Sequence, residues 1–155
     1  MRGTVFLFMR ESILKHLEAT LKGQVREGED ALASLKTSLA SEAKSTAGDK
    51  HETGRAMIQA EMVRLNDTLV RSKDMLERCR AMAIAPVGTA RAGTLIQTTG
   101  PWIFVGLPMG KITLNGAVVL VVGPDAPLAQ AIQGKGAGDS IQVGPSAAFE
   151  ILHVG

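Results

Sequence analysis

The sequence is poor in the residues that build disulfide scaffolds, zinc sites and aromatic pockets. Its 155 residues include one cysteine, one tryptophan, four phenylalanines and no tyrosine. A single cysteine, Cys79, excludes an intramolecular disulfide and fits a reducing compartment. The chain has no Cys/His set with the spacing of a zinc site, no Walker loop and no nucleophile elbow. Nothing in this inventory indicates that the isolated chain catalyses a reaction.

The sequence also lacks a strong net charge and a long apolar run. The formal net charge of +2 is too small to argue nucleic-acid binding from bulk electrostatics. The run from Val5 to Met9 is short and is followed at once by Arg10 and Glu11, so it indicates neither an export signal nor a membrane span. We therefore expect a cytoplasmic protein with no membrane partner. Two interpretations of the run stay open: a leader before the first helix, or an apolar patch that docks on a second domain.

Charged residues and glycines are distributed unevenly along the chain. Residues 1–85 hold 14 of the 17 Lys and Arg, 12 of the 15 Asp and Glu, and only 5 of the 17 Gly. The remaining residues have the composition of short strands and tight turns. The sequence therefore predicts an N-terminal helical domain over 1–85 and a C-terminal domain over 86–155.

Two stretches of the first domain share a coiled-coil rhythm, with apolar or small residues three or four apart. The first stripe is Leu14, Leu17, Leu21, Val25, Gly28, Leu32, Leu35 and Leu39, and the second is Ile58, Met62, Leu65, Leu69, Ser72, Leu76, Cys79 and Ala83. The stripes mirror each other about Gly48 and Asp49, so that Gly28 faces Leu69 and Leu14 faces Ala83. This symmetry predicts an antiparallel hairpin of two helices, from about Met9 to Lys44 and from Lys50 to Met82, with its tip at residues 45–55.

The second domain shows strand patterns separated by turn signals. We predict strands at 94–99, 102–105, 111–114, 117–122, 140–143 and 149–154, and a short helix at 126–133. Asn115-Gly116 is a strong hairpin signal, and Pro127 stands near the start of the helix. The predicted fold class is α+β, a two-helix coiled-coil hairpin followed by a small, mostly antiparallel sheet with one short helix.

Two charged patterns have a structural and a functional interpretation. Asp49 at the N-cap with Glu52 three residues later resembles a capping box and suits the helix dipole, but the same carboxylates are candidate metal ligands at an exposed tip. Arg64, Arg71 and Arg78 form a stripe that could follow a phosphate backbone, although Asp67 and Asp74 stand four residues before two of them. Surface ion pairs are the favoured interpretation of that stripe.

Short motifs in both domains resemble the Gre family of bacterial transcript cleavage factors. They are Gly48-Asp49-Lys50-His51-Glu52 at the tip, Pro127-Leu128-Ala129 in the short helix, and Gly134-Lys135-Gly136-Ala137-Gly138-Asp139 before the penultimate strand. Their order covers nearly the whole chain. The resemblance implies an FKBP-like C-terminal domain and a protein that binds RNA polymerase without being an enzyme itself.

The resemblance also implies a transcription elongation factor whose coiled-coil tip enters the polymerase secondary channel. Asp49 and Glu52 would help to hold a second Mg²⁺, which binds weakly to the factor alone, so that the polymerase cleaves backtracked RNA at its nascent 3′ end. DNA would be met only through the polymerase complex. Lys50, His51 and Arg55 at the tip, and Pro127 and Leu128 in the helix, are the predicted binding residues. Arg55 has two open roles, contact with RNA and pairing with Glu52.

Three alternatives to cleavage stimulation stay open. The continuation Thr53-Gly54-Arg55 differs from the Asn-Ala-Glu of better-known family members, which leaves a Gre-shaped polymerase inhibitor as one alternative. An FKBP-like domain suggests a prolyl isomerase or chaperone, although the domain offers only Trp102, Phe104 and Phe149 for an aromatic pocket. A structural adaptor that binds partners along the hairpin is the third.

Overall fold

The computed structural model describes the backbone of residues 2–43 and 48–155 and the side chains of residues 3–42 and 52–155. Its elements are α1 (Arg2–Ala43), α2 (Gly48–Ile84), a 3₁₀ turn (Ala90–Ala92), β1 (Thr94–Thr98), β2 (Trp102–Val105), β3 (Gly110–Leu114), β4 (Ala117–Val122), α3 (Pro127–Ile132), β5 (Ser140–Val143) and β6 (Ala147–Val154). The predicted α+β class is confirmed, with two long helices followed by a six-stranded, mostly antiparallel sheet and one short helix.

The chain divides into two compact units. Their limits differ from those of the predicted domains, because each of the two long helices is divided between the units. One unit is Glu18–Glu77, and the other combines Met1–Leu17 with Arg78–Gly155. The second unit therefore contains the whole sheet together with the first turns of α1 and the last turns of α2. The domain boundary between residues 85 and 86 rests on sequence composition and stays a prediction.

The unit Glu18–Glu77 is an antiparallel pair of helices. A Cβ atom placed on Gly28 would lie 3.1 Å from Leu69 Cδ1, so these residues meet in the register that the mirrored stripes predict. Lys73 Nζ lies 3.6 Å from Glu29 Oε1 across the pair, an exposed bridge worth under about 1 kcal/mol. Towards the tip the seam leucines are only half-buried, because each stripe has a single partner helix. Packing along one narrow seam therefore holds this unit together.

The first turns of α1 lie earlier in the chain than predicted. The helix begins at Arg2 rather than Met9, since Phe6, Met9, Ile13 and Leu17 continue the apolar spacing and are all buried. The centroid of the Phe6 ring lies 5.9 Å from that of Trp102 in a tilted arrangement and 4.4 Å from that of His153 in an edge-on arrangement. The apolar run is therefore a docking patch on the sheet rather than a leader. No helix among the described residues is long and apolar enough to cross a membrane.

The end of the predicted seam at Ala83 is wrong, because Ala83 is exposed while Cys79 and Met82 are buried. Met82 closely approaches Gly93 and Gly106, so here α2 packs on glycines of the sheet unit instead of continuing the coiled-coil rhythm. The Sγ of Cys79 lies 3.6 Å from the carbonyl oxygen of Leu14. Cys79 is the small core residue that its seam position predicts.

The sheet has the strand order β3-β4-β2-β1-β6-β5, with only β2 and β4 running parallel. Because alternate residues point to opposite faces, Leu95 and its partner Phe104 share one face, and Ile96 and its partner Ile103 share the other. The first face packs against α1, where Arg10 lies 5.7 Å from the centroid of the Phe104 ring. The second face carries the cluster of Ile96, Ile103, Ile132, Ile141 and Ile151. The six residues of α3 are thus the helical cover of that face.

Gly93 is a position where only glycine fits. Its φ of 72° and ψ of 178° define a conformation open essentially to glycine alone, and an added Cβ would lie 2.7 Å from the carbonyl oxygen of Val105. We expect Gly93→Ala to lower the free energy of unfolding by about 2 kcal/mol or more. Gly23→Ala is the matched control, because Gly23 is helical with nothing within 4 Å of an added Cβ, and it should raise stability by about 0.5–1 kcal/mol. Equal thermal shifts for the two variants would contradict this interpretation.

Candidate functional site

The predicted tip, residues 45–55, follows the end of α1 and includes the start of α2. Residues 44–47, which include Ser45 and Thr46, lie outside the described part of the chain, as do the side chains of Asp49, Lys50 and His51. Glu52 and Arg55 are described, and both are exposed on the first turns of α2. They do not pair with each other. The described half of the tip therefore offers one solvent-facing carboxylate and one solvent-facing guanidinium.

The backbone at the tip differs from the capping-box interpretation of Asp49 and Glu52. Because α2 begins at Gly48, Asp49 falls within the first turn rather than at the N-cap. Positions 49 and 52 are three apart on the helix, and positions with that spacing are neighbours on one face. A carboxylate in the first turn of a helix interacts favourably with the helix dipole and stabilises the helix by about 0.3–1 kcal/mol. The spacing of positions 49 and 52 is therefore compatible both with stabilisation of the helix and with a shared role of the two residues.

A residue of α1 that was not predicted also lies near the tip. The Oε2 of Glu42 lies 3.4 Å from where a Cβ atom of Gly54 would stand. Gly54 thus leaves room for the Glu42 carboxylate to lie against α2. The signal for this contact was present in the mirrored register, which places position 42 opposite position 55. Apolar positions alone, which define the two stripes, do not include Glu42.

The described side chains do not form a metal site by themselves. No group of three His, Cys, Asp or Glu residues comes together among them in a way that would hold an ion. Glu52 can supply one carboxylate, and carboxylate oxygens are ligands that Mg²⁺ accepts while it keeps several waters. Glu52 therefore fits a shared site in which a partner supplies most of the ligands.

The arginine stripe on α2 is largely engaged with the protein. Arg64 binds Glu61, three residues earlier, and its Nε donates to the Glu61 carboxylate at 3.0 Å. This hydrogen bond lowers the pKa of Glu61 from its ordinary value. Arg78 donates to the carbonyl oxygen of Gly106 at 3.2 Å. Two of the three guanidinium groups therefore already donate to protein oxygens, one of them in an ion pair with Glu61, which argues against a phosphate-binding stripe.

The motif residues of the second half of the chain occupy α3 and the turn after it. Pro127 is exposed at the start of α3, whereas Leu128 is half-buried against the isoleucine cluster. The glycine-rich stretch forms a turn, since the amide of Gly136 donates to Asp139 Oδ2 at 2.8 Å. The stretch leads into β5 and provides no helix N-terminus for a phosphate. Of the two predicted binding residues here, Pro127 is the accessible one.

A buried cation is the feature that the sequence analysis missed. Arg10 is 3% exposed, and its Nη2 donates to the carbonyl oxygens of Ala92 and of Gly93, the latter at 3.4 Å. Its Nη1 is buried without a hydrogen-bond partner among the described residues. Burial lowers the pKa of Arg10 from its ordinary value. Guanidinium groups nevertheless stay protonated, so a positive charge lies beneath Ala92 and Gly93.

Comparison with known proteins adds no relative to this description. No family model, no curated protein and no solved structure matches the chain.

Proposed function

We propose that the chain is a Gre-like RNA polymerase accessory factor that stimulates cleavage of backtracked RNA. The observation that carries this proposal is the unit Glu18–Glu77, an antiparallel helix pair that ends in an exposed Glu52. Its partners are the polymerase and the nascent RNA 3′ end, and DNA takes part only through the polymerase complex. The family motifs in the sequence, rather than any matched relative, supply the link to transcription.

The geometry of the helix pair suits delivery of a group into a narrow channel. At about 1.5 Å per residue, the α1 portion of this unit is on the order of 40 Å long. Two packed helices form a narrow cross-section, and the seam contact between Gly28 and Leu69 brings the two backbones close together. The carboxylate of Glu52, near the start of α2, is therefore presented far from the chain segments that leave the unit at Glu18 and Glu77.

In this proposal the chain supplies only metal ligands and side chains that contact the RNA. A Mg²⁺ shared with the polymerase would stabilise the charge that develops on the cleaved phosphate and would supply an activated water. Asp49 and Glu52 would contribute oxygen ligands, and the polymerase carboxylates and the RNA phosphate would complete the site. Lys50, His51 and Arg55 stand at positions from which cationic or hydrogen-bonding side chains would meet the RNA. The factor would thus be a donated part of another protein's active site.

The sheet unit would provide the polymerase-docking surface. Pro127 is exposed on α3, and the turn after α3 is fixed by its own hydrogen bonds. A fixed, exposed turn keeps its shape on binding and so loses little conformational entropy. Leu128 contributes by holding α3 on the isoleucine cluster, which makes it a positioning residue rather than a contact.

The test is addition of the purified chain to a polymerase complex that has been backtracked, with Mg²⁺ present, and measurement of RNA length on a gel. We expect shortened RNA and release of a short 3′ fragment, both faster than in the complex alone. Arrested RNA with no fragment would favour the Gre-shaped inhibitor. No effect on the RNA and no binding to the polymerase would contradict the proposal and leave the adaptor.

The prolyl isomerase alternative has its own test. Its pocket would need apolar and aromatic walls, yet the large groove of the sheet unit has no aromatic residue in its lining. We expect no turnover of a proline-containing peptide by the full chain.

A further inference from the structure

One face of the sheet is only partly covered. A six-stranded sheet is on the order of 24 Å wide, since strands lie about 4.8 Å apart, whereas the six residues of α3 span about 9 Å. The uncovered part lies over β1, β2 and β6, at Thr94, Val105 and Val154. The result is a groove of about 950 Å³, bounded by α3 on one side and by the last turns of α2 on the other.

Apolar side chains line the inside of the groove, and all of its charged lining residues are basic. Ile132 and Val154 contribute apolar side chains to it, and Ile84, which is 87% exposed, lies at the end of α2. Its charged lining residues are Arg78, Arg91 and Lys135, and no carboxylate lines it. Apolar walls with a few charged groups at set places are typical of small-molecule sites, and 950 Å³ is near the top of their usual volume range.

The local electrostatics favour an anion. The C-terminal ends of α2 and α3 both border the groove, and each contributes at most about half a negative charge. Three full positive charges outweigh them. Arg10 adds a further charge from below, because its guanidinium donates to the carbonyl oxygen of Gly93, which lines the groove. Arg78 and Lys135 are held by bonds to the carbonyl oxygens of Gly106 and Ser140, so the cationic groups are partly fixed in place.

The sheet topology argues against an extended peptide as the occupant. Both edges of β1, β2 and β6 are already paired within the sheet, so a peptide could not add a strand there. Recognition of a proline-rich peptide normally uses aromatic walls, and the lining has none. What remains is a compact ligand that needs few backbone hydrogen bonds.

We propose that this groove binds a small amphiphilic carboxylate, such as a medium-chain fatty acid. Its apolar body would lie on Val105, Ile132 and Val154, and its carboxylate would meet Arg91 and Lys135. The site shares no residue with the tip, although Gly134 and Lys135 belong to both the groove and the turn assigned to docking. The test uses the chain without polymerase, so its result does not depend on whether the chain acts on RNA polymerase.

The experiment is a titration of the full chain, followed by backbone amide and methyl NMR signals. The probes are decanoate, decanol as a neutral analogue, decyltrimethylammonium as a cationic analogue, and an amidated helical peptide rich in leucine and glutamate. We expect decanoate to shift the signals of Gly93, Val105, Ile132 and Val154 at lower concentration than any other probe. Decyltrimethylammonium should shift them least.

Charge variants identify the cationic groups. Arg91→Ala combined with Lys135→Ala should weaken decanoate binding about tenfold or more, which is the loss of at least one charge-assisted contact. The same variant should leave decanol binding unchanged within about twofold, and this also shows that the groove is still folded. Lys111→Ala is the matched control, because Lys111 is exposed on β3 and does not line the groove.

Three outcomes would overturn the proposal. Decanoate and decanol could bind equally well, the shifted signals could lie away from the groove, or the acidic peptide could bind there while decanoate does not.

Discussion

Replacement of Asp49 by Asn together with Glu52 by Gln is expected to slow factor-stimulated RNA cleavage by about 100-fold or more. The two substitutions keep size and remove charge, so they remove oxygen ligands that can bind a cation strongly. Loss of one preorganised hydrogen-bond donor to a developing oxyanion costs about 2.7–4 kcal/mol, or roughly 10²–10³ in rate, and loss of two charged metal ligands should cost at least as much. Binding to the polymerase should be unchanged, because docking is assigned to the sheet unit. Cleavage is measured from RNA length, and binding from competition with the unmodified chain.

The fold should tolerate this change. Positions 49 and 52 are the second and fifth residues of α2, so loss of the two charges should cost at most about 0.3–1 kcal/mol each through the helix dipole. Asp67→Asn is the matched control, since Asp67 is an exposed carboxylate on the same helix, about 22 Å from Glu52 at 1.5 Å per residue. It should cleave like the unmodified chain. Unchanged cleavage by the double variant would contradict the role given to the tip, and equal losses in both variants would mean that overall charge, not position, matters.

Phe104→Ala is expected to lower the free energy of unfolding of the sheet unit by about 3–5 kcal/mol. Phe104 is fully buried in β2, and truncation of a buried phenylalanine removes apolar contact and leaves a cavity. The ring also lies 5.7 Å from the guanidinium of Arg10, and its loss would remove a cation–π contact worth about 0.5–1 kcal/mol or more. For a chain of this size the expected fall in melting temperature is on the order of 10 °C. Trp102 fluorescence reports the transition, because Trp102 is buried in the same strand.

Phe8→Ala is the matched control, because it makes the same chemical change at an exposed position. Phe8 is 61% exposed on α1, so the same chemical change should cost about 0.5 kcal/mol or less. A melting temperature of Phe104→Ala within about 2 °C of the unmodified chain would contradict the packing described for β2. Equal effects of the two variants would do so as well.

The sequence was most informative where a pattern repeats. The hairpin register followed from two mirrored stripes, and the contact of Gly28 with Leu69 confirms it. The pattern failed at Ala83, because there the partner of α2 changes from a helix to the glycines Gly93 and Gly106. Periodicity describes packing between like elements, and it carries no information about the point where the partner changes.

The strands were predicted nearly to the residue, and their order was not. β2 and β4 have the predicted bounds, since β-branched and aromatic runs between Gly, Pro and Asn are strong local signals. The order β3-β4-β2-β1-β6-β5 rests on contacts between residues far apart in the chain. No local pattern encodes that order.

The basic groove and the buried Arg10 were not predicted, and the two causes differ. Arg78, Arg91 and Lys135 are widely separated in sequence, and the fold brings them to one groove. Arg10 ends an apolar run in the sequence, yet it lies on the buried face of α1 between Phe6 and Ile13. A helical projection that included charged positions would have placed it there. The tip was easier to recognise, because its motif is contiguous in the chain.

A photocrosslink from the tip to RNA tests the central claim most directly. A benzoylphenylalanine placed at position 52 is irradiated in a backtracked polymerase complex whose RNA carries a label at its 3′ end, and the same group at position 67 serves as the control. We predict labelled RNA attached to the chain through position 52 and not through position 67. Labelling that is absent at position 52, or equal at the two positions, would contradict delivery of Glu52 to the polymerase active site.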